Sequence, residues 1–442
     1  MRYLRKRKSA KFIINLLLCL SIIASVSVTK EVYAFQPVSH YILMMETAKR
    51  LPEDSIIRQA IETYPEIAAI GANGPDLPLI QPGEIFEYSP WSNEYHYFKV
   101  GSFASSQLKN ALASNDLKQI AYAAGWITHI CGDLGAHGIF VNPECGVYLD
   151  NPDGRDLHIA LETAAEPYIW VNMGQKNKES YMAGVTNYFA SSDEIPYKLI
   201  VNTSNEIYGG SPSESEISQW ITTLHAGLIT GAGYTYTEYD TALETLSINN
   251  RSERLNSAFY SALQRSLNIL TSAESGNYNG LSDRWVLDVG RSDSPISNLT
   301  LEIKTGDTTY YNYGTGTDDD VYFGITLKDG TTKEWELDAG TYINDFESGN
   351  TDKFYLYIDR YSTNISPENI EKVWLRKDDK YLSAGGDWYP EYIKVYLNSQ
   401  LAVDTFIQKW ITSDNNLHEI DVDLSGIIAV PDEPDPVGDF NQ

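Results

Sequence analysis

The sequence predicts a multidomain chain of α and β type, an all-α helical bundle followed by an antiparallel β-sandwich. Three observations predict it. Apolar residues recur at spacings of three and four from residue 38 to about 271. Short runs alternate apolar and polar residues from 297 onward. A Ser-, Asn- and Gly-rich stretch separates the two textures, and 442 residues exceed what one ordinary core organises.

Residues 1–34 read as a signal peptide. Arg2, Arg5, Lys6, Arg7, Lys8 and Lys11 precede an uncharged apolar run over 12–28, and Val32, Tyr33 and Ala34 offer a small-residue cleavage site. The mature chain would begin at Phe35 and be secreted to the extracellular space. Helical periodicity then marks 38–51, 107–117, 120–137, 156–173, 214–229 and 253–270, with polar loops such as 202–213 between them. These make a helical domain over 35–272. Residues 273–296 read as a linker containing Pro295. Strand-like runs follow at 299–304, 321–327, 333–337, 353–358, 372–375 and 392–397, giving a sandwich over 297–428. The acidic, Pro-rich stretch 429–442 reads as a disordered tail.

Charge narrows the partners. Residues 1–34 carry seven Lys/Arg and one Glu, so without them the formal charge deepens from −27 to −33. Such a surface repels nucleic acid, and anionic lipid too unless cations intervene. Cys131 and Cys145 remain after cleavage. A disulfide between them and two free thiols are both compatible with the sequence.

The chemistry concentrates in HICGDLGAH over 129–137 and HIALE over 158–162. His129, Asp133 and His137 recur every four residues, and His158 with Glu162 repeats the spacing, so each set shares one helix face. Imidazole and carboxylate suit zinc. His40, Asp76 (in a Gly74-Pro75 turn) and His96 extend the set, which takes five of the seven histidines. His225 and His418 have no partner at ligand spacing and receive no role. Adjacent zinc ions neutralise phosphoryl oxygens and acidify a bound water, which suits phosphodiester hydrolysis. Asp76 and Glu162 are the expected catalytic carboxylates; Asp76 either serves as ligand only or also orients the nucleophile. Trp91, with Tyr88 and Tyr95, either walls a choline-type head group or packs its own loop.

On AAGWITH…D…H over 123–137 and LH…E over 157–162, the chain resembles the zinc-dependent phospholipase C family, in its alpha-toxin-like architecture. The resemblance implies a cluster of two or three zinc ions. Asp76, His96, His129 and Asp133 would hold one, His137, His158 and Glu162 a second and more open one, and His40 with the bridging Asp133 a third. Toxin-like members supply a mature N-terminal Trp to the third zinc; here Phe35 takes that place, five residues before His40. The four-residue step from Asp133 to His137 is shorter than in the toxin-like enzymes. It is similar to that of distant relatives, including the catalytic domain of glycosylphosphatidylinositol-specific phospholipase D.

Residues 297 to about 426 resemble a PLAT domain, a C2-like sandwich, through GTDDDVYFG (316–324), KDGTTKEW (328–335), NDF (344–346), VWLRK (373–377) and WYPEYIK (388–394). The resemblance implies calcium on Gly316, Thr317, Asp318, Asp338, Asn344 and Asp345, and docking on membrane phospholipid. Gly314 replaces one expected acid, which Asp387 is placed to supply. Trp388 and Tyr389 beside Asp387 read as an aromatic tip entering the head-group layer.

The expectation is therefore a secreted, monomeric zinc- and calcium-dependent phospholipase C, with possible toxin character. Alternatives are a phospholipase D-type or glycosylphosphatidylinositol-type lipid hydrolase, a related zinc nuclease, and a non-catalytic membrane-binding surface protein.

Overall fold

The computed structural model describes residues 35–80, 90–147, 154–177, 185–237, 239–307, 314–337, 344–378 and 386–436. The signal-peptide reading, Tyr88 and Asp338 fall outside these residues.

The helical half contains α1 (Pro37–Arg50), α2 (Ile56–Thr63), α3 (Pro65–Gly71), α4 (Pro90–Tyr97), α5 (Val100–Ser114), α6 (Leu117–Gly135), α7 (Asn142–Cys145), α8 (Arg155–Tyr168), α9 (Tyr197–Tyr208), α10 (Glu214–Thr237), α11 (Tyr239–Leu246) and α12 (Arg251–Glu274). Helix α6 is the axis: α1, α2, α3, α5 and α12 all pack on it. The Asp116 side chain caps it by accepting from the Lys118 N–H at 2.9 Å. Every residue from Ile120 to Gly135 is buried, as expected of a helix surrounded by others.

Two glycines bring α3 and α6 into backbone contact. A Cβ at Gly125 would stand 2.1 Å from the Ala68 carbonyl oxygen, and one at Gly71 would stand 2.1 Å from that of Tyr122. Helix α6 then loosens into a π-helical turn at Ala136–Val141, and α8 does the same at Ile169–Met173 after Pro167. A π turn re-aims the side chains that follow it, and such turns recur at functional sites.

Two four-stranded antiparallel sheets form the other half, ordered β4-β1-β6-β7 and β3-β2-β5-β8. They comprise β1 (Asn298–Thr305), β2 (Asp320–Leu327), β3 (Thr332–Glu336), β4 (Thr351–Tyr357), β5 (Ile370–Asp378), β6 (Pro390–Leu397), β7 (Gln400–Phe406) and β8 (Leu417–Asp421). Alternate residues such as Leu299, Leu301 and Ile303 of β1 and Val321, Phe323 and Ile325 of β2 face the shared core.

Three expectations need correction. Trp388 is fully buried: its indole N–H donates to Thr305 Oγ1 at 3.1 Å and its ring meets Phe346 edge-on at 4.9 Å. It belongs to the sandwich core and is no membrane tip, while Tyr389 lies half-buried against Trp410. The 273–296 segment is no loose tether, because Trp285, Val286, Leu287, Val289 and Ile296 are all buried. The acidic tail is docked as far as it is described: Asp432 pairs with Arg284 at 3.1 Å, and Asp435 with Arg265 and Arg291 at 2.9 and 3.2 Å.

The halves meet across polar and aromatic contacts. Lys353 of β4 pairs with Glu94 of α4 at 2.6 Å and sits over the Phe98 ring. Phe98 meets Tyr396, and the Arg360 guanidinium donates to the Gly138 carbonyl at 2.8 Å.

Candidate metal centre

Two groups of buried donors form inside the helical half. Asp76, His96, His129 and Asp133 bring one ligand atom each within 4.8 Å of one another, and so do His137, His158 and Glu162. Among the described residues no other such group of His, Cys, Asp or Glu occurs. All seven residues, and His40, are almost completely shielded from solvent.

The glycine contact between α3 and α6 positions the first group. It sets the turn after α3 against His129, whose Nδ1 meets the Ala72 carbonyl at 3.0 Å, and Asp76 follows within that turn. Asp76 Oδ1 lies 3.1 Å from His96 Nε2 and 3.7 Å from His129 Nε2. Asp133, one turn beyond His129 on α6, reaches His129 at 3.0 Å through Oδ2 and His40 at 3.3 Å through Oδ1. The His40 ring stacks on His129 at 4.1 Å, with Phe35 against its edge. Asp133 thus stands between His40 and the first group.

In the second group, His158 and Glu162 are one turn apart on α8, 2.7 Å from Nε2 to Oε1, and His137 approaches Glu162 to 3.8 Å from the π turn. Each ring is held from behind. His96 Nδ1 meets the Ser92 carbonyl at 2.8 Å, His137 Nδ1 that of Leu287 at 2.8 Å, and His158 Nδ1 the Cys145 sulfur at 3.6 Å. With Nδ1 engaged this way, Nε2 is left pointing into the donor group, the usual arrangement behind a metal-bound imidazole. Cys131 and Cys145 are both buried.

The donor atoms converge without all satisfying one another. The Nε2 atoms of His129 and His137, Asp133 Oδ1 and Asp76 Oδ2 are buried and have no hydrogen-bond partner among the described residues. Buried polar atoms left this way are costly, so a cation among them removes a penalty as well as adding bonds. The donor set, imidazole nitrogen with carboxylate oxygen, fits zinc.

Charge follows the same geometry. Burial alone would push His96 down, but its hydrogen bond to Asp76 and the charges of Asp76, Asp288 and Asp133 carry it up to about 9. Burial likewise works against protonation of His129, and Asp133 and Asp76 reverse it. Asp133 is held well below the usual carboxylate range: burial opposes this, but His129 and His40 outweigh it. Burial pushes His158 down to about 4, with Asp288 opposing.

The calcium candidates are brought together only in part. The 316–318 and 344–346 loops touch, through the Thr317 N–H on the Phe346 carbonyl at 3.3 Å, and Gly386 packs on Gly316. Asp318 and Asn344 are exposed, Thr317 is buried and Asp345 half-buried. Trp91 is half-buried against Tyr95 and Tyr208, and the Tyr95 ring itself is buried. His225 bonds the Ala190 carbonyl at 2.8 Å, and His418 pairs with Leu375 in the β5–β8 register.

Comparison with known proteins agrees with this centre. Residues 39–235 match the family model "Zinc dependent phospholipase C", and residues 299–422 match "PLAT/LH2 domain". The zinc-dependent phospholipase C match thus falls on the helical half and the PLAT match on the sandwich half. It is similar to a phospholipase C of Clostridium perfringens, 33% identical over 133 residues, which is 30% of this chain and 32% of that protein. It is similar to another from the same species, 27% identical over 60% of this chain and 69% of that one. A Clostridium novyi phospholipase C is 36% identical over 29% of this chain and 31% of its own. The chain thus spans about a third of the length of the first curated relative it matches. Among solved structures, the alpha toxin of Clostridium absonum aligns over 86% of this chain and 97% of its own, at 18% identity and a TM-score of 0.27.

Proposed function

We propose that this chain is an extracellular phospholipase C that hydrolyses the phosphodiester of membrane phospholipids at a zinc centre. The observation that carries the reading is the pair of buried donor groups, four residues and three, meeting along α6. Asp76, His96, His129 and Asp133 would hold one zinc, and His137, His158 and Glu162 a second. His40 and Asp133 are the residues for a third. Bound zinc would supply charge for the phosphoryl oxygens and an acidified water.

The protein's own groups do the rest. Asp76 uses Oδ1 toward His96 and keeps Oδ2 without a partner among the described residues, so one oxygen remains to orient or accept a proton from the nucleophile. The Nδ1 contacts of the histidines hold their tautomers while charge develops. Asp133 joins the first group to His40 and keeps their spacing fixed.

The sandwich is read as the docking domain. Its adjoining 316–318 and 344–346 loops, with Asp318, Asn344 and Asp345, would take calcium together with Asp338, and calcium would offset the mature chain's charge of −33 near a membrane. Residues 1–34 would direct export.

The test is to purify the chain and measure zinc content and lipid products. Phosphocholine with diacylglycerol supports the reading. Free head group with phosphatidic acid would replace it by D-type cleavage. His137→Ala and Glu162→Ala should each abolish hydrolysis of a short soluble phosphodiester. Bilayer hydrolysis should require calcium, whereas the soluble reaction should not; equal bilayer rates with and without calcium would remove the docking role.

A further inference from the structure

The segment between the two halves touches both donor groups through one residue. The Leu287 N–H donates to the His96 carbonyl at 3.0 Å, and the Leu287 carbonyl accepts from His137 Nδ1 at 2.8 Å. His96 belongs to the first group and His137 to the second, so the two backbone contacts of one residue span the centre.

This segment is seated from several sides. The Tyr97 hydroxyl donates to the Asp288 carboxylate at 2.6 Å, and Asn142 donates to the Asp288 carbonyl at 2.7 Å. Val286 and Val289 join Tyr97 and Tyr357 in a small apolar cluster, with Tyr355 against it, so β4 presses on the outer face. Gly290 adopts φ +79° against Gly138, and a Cβ there would stand 2.5 Å from the Gly138 Cα. Asp432 and Asp435 of the tail hold Arg284 and Arg291 at its two ends.

We propose that residues 285–291 are a positioning element of the metal centre: Leu287 fixes His137, while Tyr97, Asp288 and Gly290 seat Leu287. The proposal rests on reading the two donor groups as metal sites. It goes beyond that reading by assigning the interdomain segment, and through β4 the sandwich itself, a part in holding the metal ligands.

The experiment uses the full chain loaded with cobalt(II), whose visible absorption reports ligand geometry, and titrates the metal out with a chelator. Gly290→Ala adds one methyl at the strap and changes no donor. Asp288→Ala removes the acceptor of the Tyr97 hydroxyl, Tyr97→Phe removes the donor, and Asp288→Asn keeps an acceptor. Gly290→Ala and Asp288→Ala should shift the cobalt spectrum and lower metal retention by about 10–100-fold, the range for losing a support behind a metal-bound histidine. Tyr97→Phe should move both readouts the same way and by less, and Asp288→Asn should stay near wild type. If Gly290→Ala does not fold, as judged by circular dichroism, Asp288→Ala and Tyr97→Phe decide the matter. Folded variants with the wild-type spectrum and retention would overturn the positioning role. Asp288→Asn falling as far as Asp288→Ala would overturn seating through the Tyr97 hydroxyl. A wild-type chain that binds no cobalt or zinc would instead overturn the metal reading beneath it.

Discussion

Replacing Asp133 by asparagine tests whether one carboxylate serves two metal positions. Oδ2 lies 3.0 Å from His129 Nε2 and Oδ1 lies 3.3 Å from His40 Nε2, so Asp133→Asn removes a charged donor from both directions while keeping shape. A metal bound only by the folded state adds RT ln(1 + [L]/Kd), about 4 kcal/mol at a thousandfold excess over Kd. For a helical half of this size, where 1 kcal/mol moves the midpoint by roughly 2–4 °C, losing one such site lowers Tm in zinc by roughly 8–16 °C. The assay is differential scanning calorimetry of both proteins, in zinc and in chelator, with bound zinc counted in parallel. The zinc-dependent increment should shrink strongly in the variant, and the stoichiometry should fall. Full stoichiometry with an undiminished increment would refute the bridging argument, whatever happened to activity.

Three further predictions follow from single contacts. Gly125→Ala drives a methyl into the Ala68 carbonyl at 2.1 Å, so it should cost about 1–3 kcal/mol by overpacking and also weaken zinc retention, because the same contact sets Asp76 beside His129; unchanged Tm and zinc content would show that the helices separate freely. Trp388→Ala should cost about 3–5 kcal/mol in sandwich stability, since it empties a core position; an unchanged melt with reduced vesicle binding would restore the membrane-tip role. Arg251, hydrogen-bonded to Glu144, and Arg254 beside it pull that carboxyl down to about 2. A lowered folded pKa contributes stability above the unfolded value of about 4.3 and loses it as pH falls toward the folded one. The Tm gap between wild type and Glu144→Gln should therefore be complete above pH ~5 and close toward pH ~2, and a gap constant across that window would sink the assignment.

The grouped donors were legible because histidine is scarce here and five of the seven stand at repeating or turn-adjacent positions. Helix α6 was legible because its apolar residues recur at helical spacing, and the inner strands because their alternation matches a sheet with one buried face. Short helices escaped notice: α3 is seven residues long, and its contact with α6 depends on Gly71 and Gly125, residues that periodicity counts as weak helix formers. Edge strands β7 and β8 were missed because they are short and largely exposed. Trp388 misled because an aromatic beside Asp387 suggests an interface, whereas its pairing with Ile411 turns it into the core. Asp432 and Asp435 misled for a related reason: their arginine partners lie 148, 170 and 144 residues away in sequence, and an acidic run seen alone looks solvated.

What sequence spacing could not carry is the backing of each ligand. His96 is braced by its own helix, His129 by the turn after α3, His137 by Leu287 and His158 by Cys145. Four separate stretches of chain therefore meet at the centre, and three of the four braces are backbone carbonyls, which no residue identity encodes. A carbonyl brace holds only while its element stays packed, so ligand geometry and tertiary packing are one quantity rather than two. Metal binding must in turn stabilise the contacts that brace the ligands, including those of α4 with β4 through Glu94 and Lys353. Bound metal would then fasten the bundle to the sandwich as well as supply chemistry. That dual role accounts for an arrangement in which a ligand-bearing helix, α4, also forms part of the interdomain contact.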